Sequence, residues 1–434
     1  MEEILARAKK AADKAEVFQV ISHRTPVHFE ANRLKQIQTK ETVGTALRLV
    51  KNGRLGFAQV GGIVKAGELI DMALETSSFG AEVNFDFPAG QSYREIEIYD
   101  PAVEKVSIGE MIELGQKLVD AVAGSTPGIQ CEATVSRSIT TCKIANTQGG
   151  HAHYTKSSYS ISVEGMLVRD GDLLFVGDSR SSCRPITDHQ LVTVEVLKQL
   201  ENARRNAAIT SGVFPVIFTP LGIAGALLSP LISAFNGKTV FDGASPLKDK
   251  KGTRVFDERF SLTDDPTISY QPGSAPFDDE GVATRSNVLI GNGVVNQFYY
   301  DLRTAALAGT VSTGNGNRSG GLPSPSPHAL VIDNGPVAPQ DMIKGIKQGL
   351  VIEQLMGAEQ GNILNGDFSG NVLLGYKIEN GEIAGRVKDT MVFGNIYQLL
   401  GKLEALGNDS RWIAGYARTP SIYLPGISVS AKSG

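Results

Sequence analysis

Histidine, cysteine and tryptophan are scarce in this chain, at six, three and one in 434 residues. Three cysteines cannot form a complete disulfide framework and suit a reducing cytosol. No cysteine follows Cys183, and no histidine is followed by glutamate, so a helical His-Glu zinc motif is absent. A net charge of −4, with no basic run longer than Lys248 to Lys251, gives no global attraction to nucleic acid. The N-terminal Met1-Glu-Glu-Ile-Leu-Ala-Arg stretch is charged and amphipathic and lacks an apolar signal-peptide core, so a cytoplasmic location is expected.

Charge is also missing between Arg205 and Lys238. That stretch is long enough to span a bilayer. Pro215, Pro220 and Pro230, with Gly212, Gly222 and Gly225, argue instead for a buried strand followed by a buried helix, and no membrane association is expected. Val213-Phe-Pro-Val-Ile-Phe218 reads as the strand. Thr219-Pro220 places an N-cap before a proline at the first helical position, which predicts a helix from Leu221 toward Phe235.

What the chain has in abundance is glycine: 48 residues, against a typical ~7%. This fits a β-rich chain with many tight turns. Three blocks are expected: residues 1–100, 101–210 and 211–434. The first opens with a helix to about Ala15, then strands over Ala15 to His28 and Arg33 to Val50, a turn at Asn52-Gly53, and a helix over Lys65 to Glu75. A polar connector spans Ser77 to Pro101. The second block opens on a capping box, Ser107-Ile-Gly-Glu110, followed by apolar residues at helical spacing. Strands at Ile129 to Ser136 and Ile139 to Asn146, a hairpin turning at Asp170-Gly171, and a helix over Asp188 to Ala207 complete it. The third block is mostly strands, with Asn-Gly turns at Asn292 and Asn380 and helices over Pro339 to Leu355 and Ile396 to Leu406. The fold class expected is α+β: N-terminal α/β blocks with antiparallel sheets and a β-rich C-terminal domain.

Several short motifs occur in a fixed order. Phe277-Asp-Asp-Glu-Gly281 is followed by the hairpin Ser286 to Val295, a short helix near Leu302 to Leu307, and Thr313-Gly-Asn-Gly-Asn-Arg318. Further on come Gly366-Asp-Phe-Ser-Gly370, Gly375-Tyr-Lys-Ile-Glu-Asn-Gly-Glu-Ile383, Gly394-Asn395 and Gly407-Asn408-Asp409. Each is common alone. In this order, with Arg33-Leu-Lys-Gln-Ile and Gly44-Thr-Ala-Leu-Arg-Leu upstream, the chain resembles the TldD/PmbA family over nearly its whole length.

That family contains TldD-type chains, which carry a His-Glu-x-x-x-His zinc motif, and PmbA (TldE)-type chains, which do not. Aligned on the approach Gly225-Ala-Leu-Leu228, Ser229 and Ala234 stand at the histidine positions and Pro230 at the glutamate position. A hydrolytic zinc needs about three His, Cys or carboxylate ligands and a nearby base. Serine, proline and alanine supply none of these, and the late cysteine ligand of TldD-type chains has no counterpart between Arg411 and Gly434. The resemblance therefore implies a PmbA (TldE)-type subunit with no metal and no catalytic residues of its own. It implies a heterodimer with a TldD-type chain that carries the zinc, enclosing a cleft for peptide substrates. The loops Asp278, Asp279, Glu280, Gly281 and Thr313, Gly314, Asn315, Gly316 are the candidates for lining that cleft. The alternative is a self-sufficient homodimeric hydrolase or peptide-binding protein of the same family. Modulation of DNA gyrase survives in the family's historical name, and the acidic balance argues against direct DNA contact.

Other constellations have plainer readings. His151-Ala-His153 puts two imidazoles on one strand face with no third ligand by spacing, so a solvated face is expected. Gly237-Lys238-Thr239 has Ile232 at the first glycine of a phosphate loop and a helix where the strand should be. Gly314-Asn-Gly316 is an incomplete dinucleotide fingerprint, and no Gly-x-Ser-x-Gly elbow occurs. Three adjacent carboxylates at Asp278 to Glu280 could bind a cation or act as acid and base, but a structural turn is the expectation. Cys131 and Cys142 lie in alternating apolar strands and read as core thiols. Asn317-Arg-Ser319 matches a glycosylation acceptor, which is irrelevant without secretion.

Overall fold

A computed structural model of the chain describes residues 1–62, 65–169 and 172–432. Seven antiparallel strands form the N-terminal sheet: β1 (Lys14–Glu30), β2 (Arg33–Ile37), β3 (Lys40–Lys51), β4 (Arg54–Gly61), β5 (Gln130–Asn146), β6 (His151–Arg169) and β7 (Asp172–Ser182). Their order is β4-β3-β1-β5-β6-β7, with β2 folded back on β1, so strands from both sides of residue 100 share one sheet. The turn expected at Asp170-Gly171 lies outside the described residues.

Side chains alternate across a strand, and here each face has its own cover. Val17, Leu47, Leu49 and Ala58 pack under helices α1 (Glu2–Ala11) and α2 (Ala66–Ser77). After the short helix α3 (Ala102–Lys105), α4 (Ile108–Ser125) covers Val27, Phe29 and Val135 of the same face. Its capping box forms as expected, with Glu110 N–H donating to Ser107 Oγ at 3.2 Å and Ser107 N–H to Glu110 Oε2 at 2.7 Å. A Cβ at Gly115 would lie 2.3 Å from the Phe29 ring, so glycine lets α4 settle directly onto it. Helix α5 (Gln190–Asn202) docks through buried Gln199, whose amide bonds both the N–H and the carbonyl of Gly177. The opposite face carries Glu16, Phe18 and Val20, and the C-terminal region folds over it.

Strand β8 (Gly212–Phe218) opens the C-terminal region. It pairs with Gln348–Met356 on one side and Ile422–Ala431 on the other. Gln348–Met356 also pairs with Asp367–Glu379, which pairs with Thr390–Asn395, which returns to Ile422–Ala431, so five strands close on themselves. Val216, Phe218, Ile352, Phe368, Val392 and Leu424 are among the apolar residues of its buried core. A second, six-stranded sheet holds the hairpin Asn287–Gly291 and Val294–Val295. Its turn has Asn292 at φ 48° and Gly293 at φ 78°, the type I′ geometry that Asn-Gly tolerates. The architecture is α+β.

Five expectations need correction. Arg33 to Val50 is two strands, and the two strands expected over Ile129 to Asn146 are one, Gln130–Asn146, because β5 pairs with both β1 and β6 across residues 133–145. The helix expected from Pro339 ends at Lys344, and Gln348–Met356 is a strand. The helix at Ile396 stops at Leu400. The helix expected from Leu221 to Phe235 is two helices, α6 (Pro220–Ala226) and α7 (Leu228–Phe235). Pro230 has no N–H to give Ala226, and its ring would strike that carbonyl, so α6 ends there. No helix among the described residues is long and apolar enough to cross a membrane.

Candidate functional site

The aligned zinc-motif positions sit on α7, and they do not fit a zinc. Ser229 is exposed, while Pro230 and Ala234 are buried, Ala234 completely, in the C-terminal core. Besides lacking donors, the outer two side chains therefore point to different surroundings. No group of three His, Cys, Asp or Glu residues able to hold a metal occurs among the described residues. His151 and His153 both lie exposed at the start of β6. The triple change Ser229→His, Pro230→Glu, Ala234→His is expected to produce no chelator-sensitive peptide cleavage. An imidazole forced into the closed site of Ala234 is expected to cost at least about 1–3 kcal/mol by overpacking. Urea unfolding and a peptidase assay with and without chelator check both expectations.

The two candidate loops meet over the open face of the N-terminal sheet. Phe277 packs against Phe18, Cys142 and Ile144, and its ring lies 4.9 Å from that of Tyr154. Asp278 is buried and accepts from the N–H groups of Gly316 at 2.7 Å and of Glu280 and Val282, each at 2.9 Å. Asp279 accepts from Arg318 N–H at 2.8 Å, and Glu280 accepts from Leu302 N–H at 2.6 Å. Gly281 takes φ 76° and its carbonyl accepts from Tyr93 Oη at 2.9 Å. In the second loop, Asn315 is fully buried and donates to Asp264 Oδ2 at 2.6 Å and Ser326 O at 2.9 Å. Thr313 Oγ1 donates to Asn315 Oδ1 at 2.7 Å, and Gly314 N–H donates to Ser312 Oγ. At Gly316 a Cβ would stand 2.5 Å from Glu280 Oε2, so only glycine allows this approach.

Sequence reading missed the charges that anchor these loops. Arg48, opposite Glu16 in the β1–β3 register, bonds Glu16 Oε2 at 3.1 Å and also Glu280. Arg318 bonds Glu16 and, through Nε, the Asp279 carbonyl. Glu16, Arg48 and Glu280 are each no more than 2% exposed. The available signal was a charge inside an apolar strand run, as in Ala46-Leu-Arg48-Leu-Val50. Carboxylates outnumber guanidiniums in this cluster. Burial, and then the charge of Glu280, push Asp278 well above its ordinary range. Burial also raises Glu16 and Asp279 despite the arginines beside them, and lowers Arg318 and Lys156. Asp301 caps the helix Leu302–Leu307 and is raised to about 6 by burial and Glu280. Chemically the acidic loop is a set of hydrogen-bonded acceptors locking two lobes together. All three cysteines are buried free thiols.

Comparison with known proteins gives the class of molecule. The family description "PmbA/TldA metallopeptidase C-terminal domain" matches residues 211–431, and "PmbA/TldA metallopeptidase domain 1" matches residues 15–77. The chain belongs to the PmbA/TldD metallopeptidase family. An uncharacterized protein of Methanocaldococcus jannaschii is 24% identical, covering 98% of this chain and 99% of its own length. A metalloprotease TldD homolog of Buchnera aphidicola is 32% identical over 47% of this chain and 43% of its own length. The crystal structure of TldE from Thermococcus kodakarensis superposes with a TM-score of 0.90 at 24% identity, covering 99% of this chain and 100% of that one, which establishes a shared fold.

Proposed function

We propose that this chain is the zinc-free, TldE-type subunit of a two-chain TldD/TldE metallopeptidase, working in the cytoplasm on peptides or unfolded protein segments. The observation that carries the reading is the zinc-motif helix, broken before Pro230 and closed at Ala234 in a chain of a metallopeptidase family. The partner's zinc would polarise the scissile carbonyl and activate water. This chain's residues would shape and wall the cleft. In that reading the blocks 1–100 and 101–210 supply the sheet face, and 211–434 supplies the loops Asp278 to Gly281 and Thr313 to Gly316 laid across it.

The test is peptide cleavage by this chain alone, by a His-Glu-x-x-x-His partner alone, and by the two mixed. Activity is expected only in the mixture and should vanish with chelator or with the partner's glutamate changed to glutamine. Elemental analysis of this chain alone should find far less than one zinc per molecule. Chelator-resistant cleavage by this chain alone would overturn the assignment in favour of a self-sufficient hydrolase.

A further inference from the structure

Beside the anchored loops the open sheet face has a gap in its side chains. In the β1–β3–β4 register, Val20 stands opposite Gly44, and Gly44 opposite Gly61. The next row on the same face is Phe18, Ala46 and Gln59. A Cβ at Gly44 or Gly61 would have nothing within 4 Å, and neither glycine has positive φ, so the two form an open trough. A cavity of about 230 Å³ lies there, bordered by Phe18, Val20, Ala46, Val60 and Arg318. An apolar cavity of about 150 Å³ suffices for benzene, so this one takes a leucine or phenylalanine side chain.

A further feature selects the occupant. β4 is an edge strand whose outward groups alternate: Leu55 N–H bonds Ala81 O, and Phe57 N–H bonds Thr76 Oγ1. The same period directs the N–H and carbonyl of Gln59 and Gly61 off the edge, where they make no hydrogen bond with any described residue. The Arg318 side chain, 5% exposed, forms one wall of the trough while its Nε and Nη2 are bonded inside the fold.

We propose that the Val20–Gly44–Gly61 trough is a subsite for one apolar side chain of an extended peptide that pairs along the Gln59–Gly61 edge. A residue hydrogen-bonded opposite Gly61 directs its side chain to this same face, so backbone pairing gives affinity and the trough gives side-chain preference. The inference rests on the peptide-processing reading and names the residue class that this subunit selects.

The experiment is fluorescence anisotropy with labelled octapeptides of serine and alanine, each carrying one leucine moved along the chain. They are titrated against this chain alone and against the mixture with a TldD-type partner. A preference of about tenfold for one leucine position is expected, lost when leucine becomes aspartate. Gly44→Val places its Cβ in open space at the floor of the trough and should abolish the preference while leaving the thermal midpoint unchanged. Gly61→Val is expected to act likewise. Absence of binding to every peptide, or a preference that survives both variants, overturns the subsite. If the preference is seen and lost as described but the mixture never cleaves, the subsite stands and the peptidase-subunit reading falls.

Discussion

Replacing Arg48 by methionine should lower the stability of the protein by about 3–5 kcal/mol at pH 8, the usual cost of removing one partner from a buried ion pair. The side chain is 2% exposed, and it separates Glu16 from Glu280, both fully buried. Without it, two carboxylates with only Arg318 nearby lose their main counter-charge. Glu16, whose carboxyl burial already pushes upward, can escape by taking up a proton, so the loss should shrink as pH falls toward 5. A mutation that merely removed packing of Arg48 against Phe85 and Phe87 would cost the same at both pH values. Urea unfolding of wild type and Arg48→Met at pH 5 and pH 8 separates the two. A loss under about 1 kcal/mol, or one independent of pH, would show that the cluster does not clamp the loop to the sheet. Because Glu280 also receives the N–H of Leu302, the same variant should loosen the loop at Gly316, read as faster amide exchange there.

Much of this site was legible because it is built from local signals. Asn292-Gly293 fixes a hairpin through two residues that tolerate positive φ, and Thr219-Pro220 and Ser107 to Glu110 start helices where their own side chains cap them. The helix Leu302–Leu307 begins where Asp301 caps it. What was illegible depends on distant strands. Gln348–Met356 follows a helix start at Pro339 and could continue it, but pairing with β8 and with Asp367–Glu379 draws it into a strand. Arg137-Ser138 looked like a break between strands, yet partners on both sides carry β5 through it. The loops were found as motifs, while their anchors Glu16 and Arg48 lie more than 230 residues earlier than Glu280, beyond any spacing rule. The glycine trough depends on register across three strands, which no single segment states.

Glu353→Gln should make the protein more stable above neutral pH, an unusual gain from removing a charge. Glu353 lies on the strand Gln348–Met356, 3% exposed, and its carboxylate is held by Thr219 Oγ1 at 3.1 Å. Burial, and then the nearby charge of Glu195, raise it from its ordinary 4.5 to about 7, against the opposing pull of Lys198, the Thr219 hydroxyl and Arg411. Between those values the folded protein keeps a proton that the unfolded chain has released, so stability falls as pH rises from about 4.5 to 7. At 1.36 kcal/mol per pH unit the whole interval corresponds to about 3 kcal/mol. Below pH 4.5 the group is neutral in both states, and glutamine, whose carbonyl can still accept from Thr219, should behave like wild type. At pH 8 the variant avoids the buried charge and should be more stable by up to about 3 kcal/mol. Other raised carboxylates, Asp278 and Asp301 among them, give both proteins a similar background slope. The informative quantity is therefore the difference between the two unfolding curves across pH 4 to 8. A difference that stays flat, or a variant less stable than wild type at pH 8, would mean that Glu353 is charged and matched in the fold, with Lys198 or Arg411 turned inward to meet it.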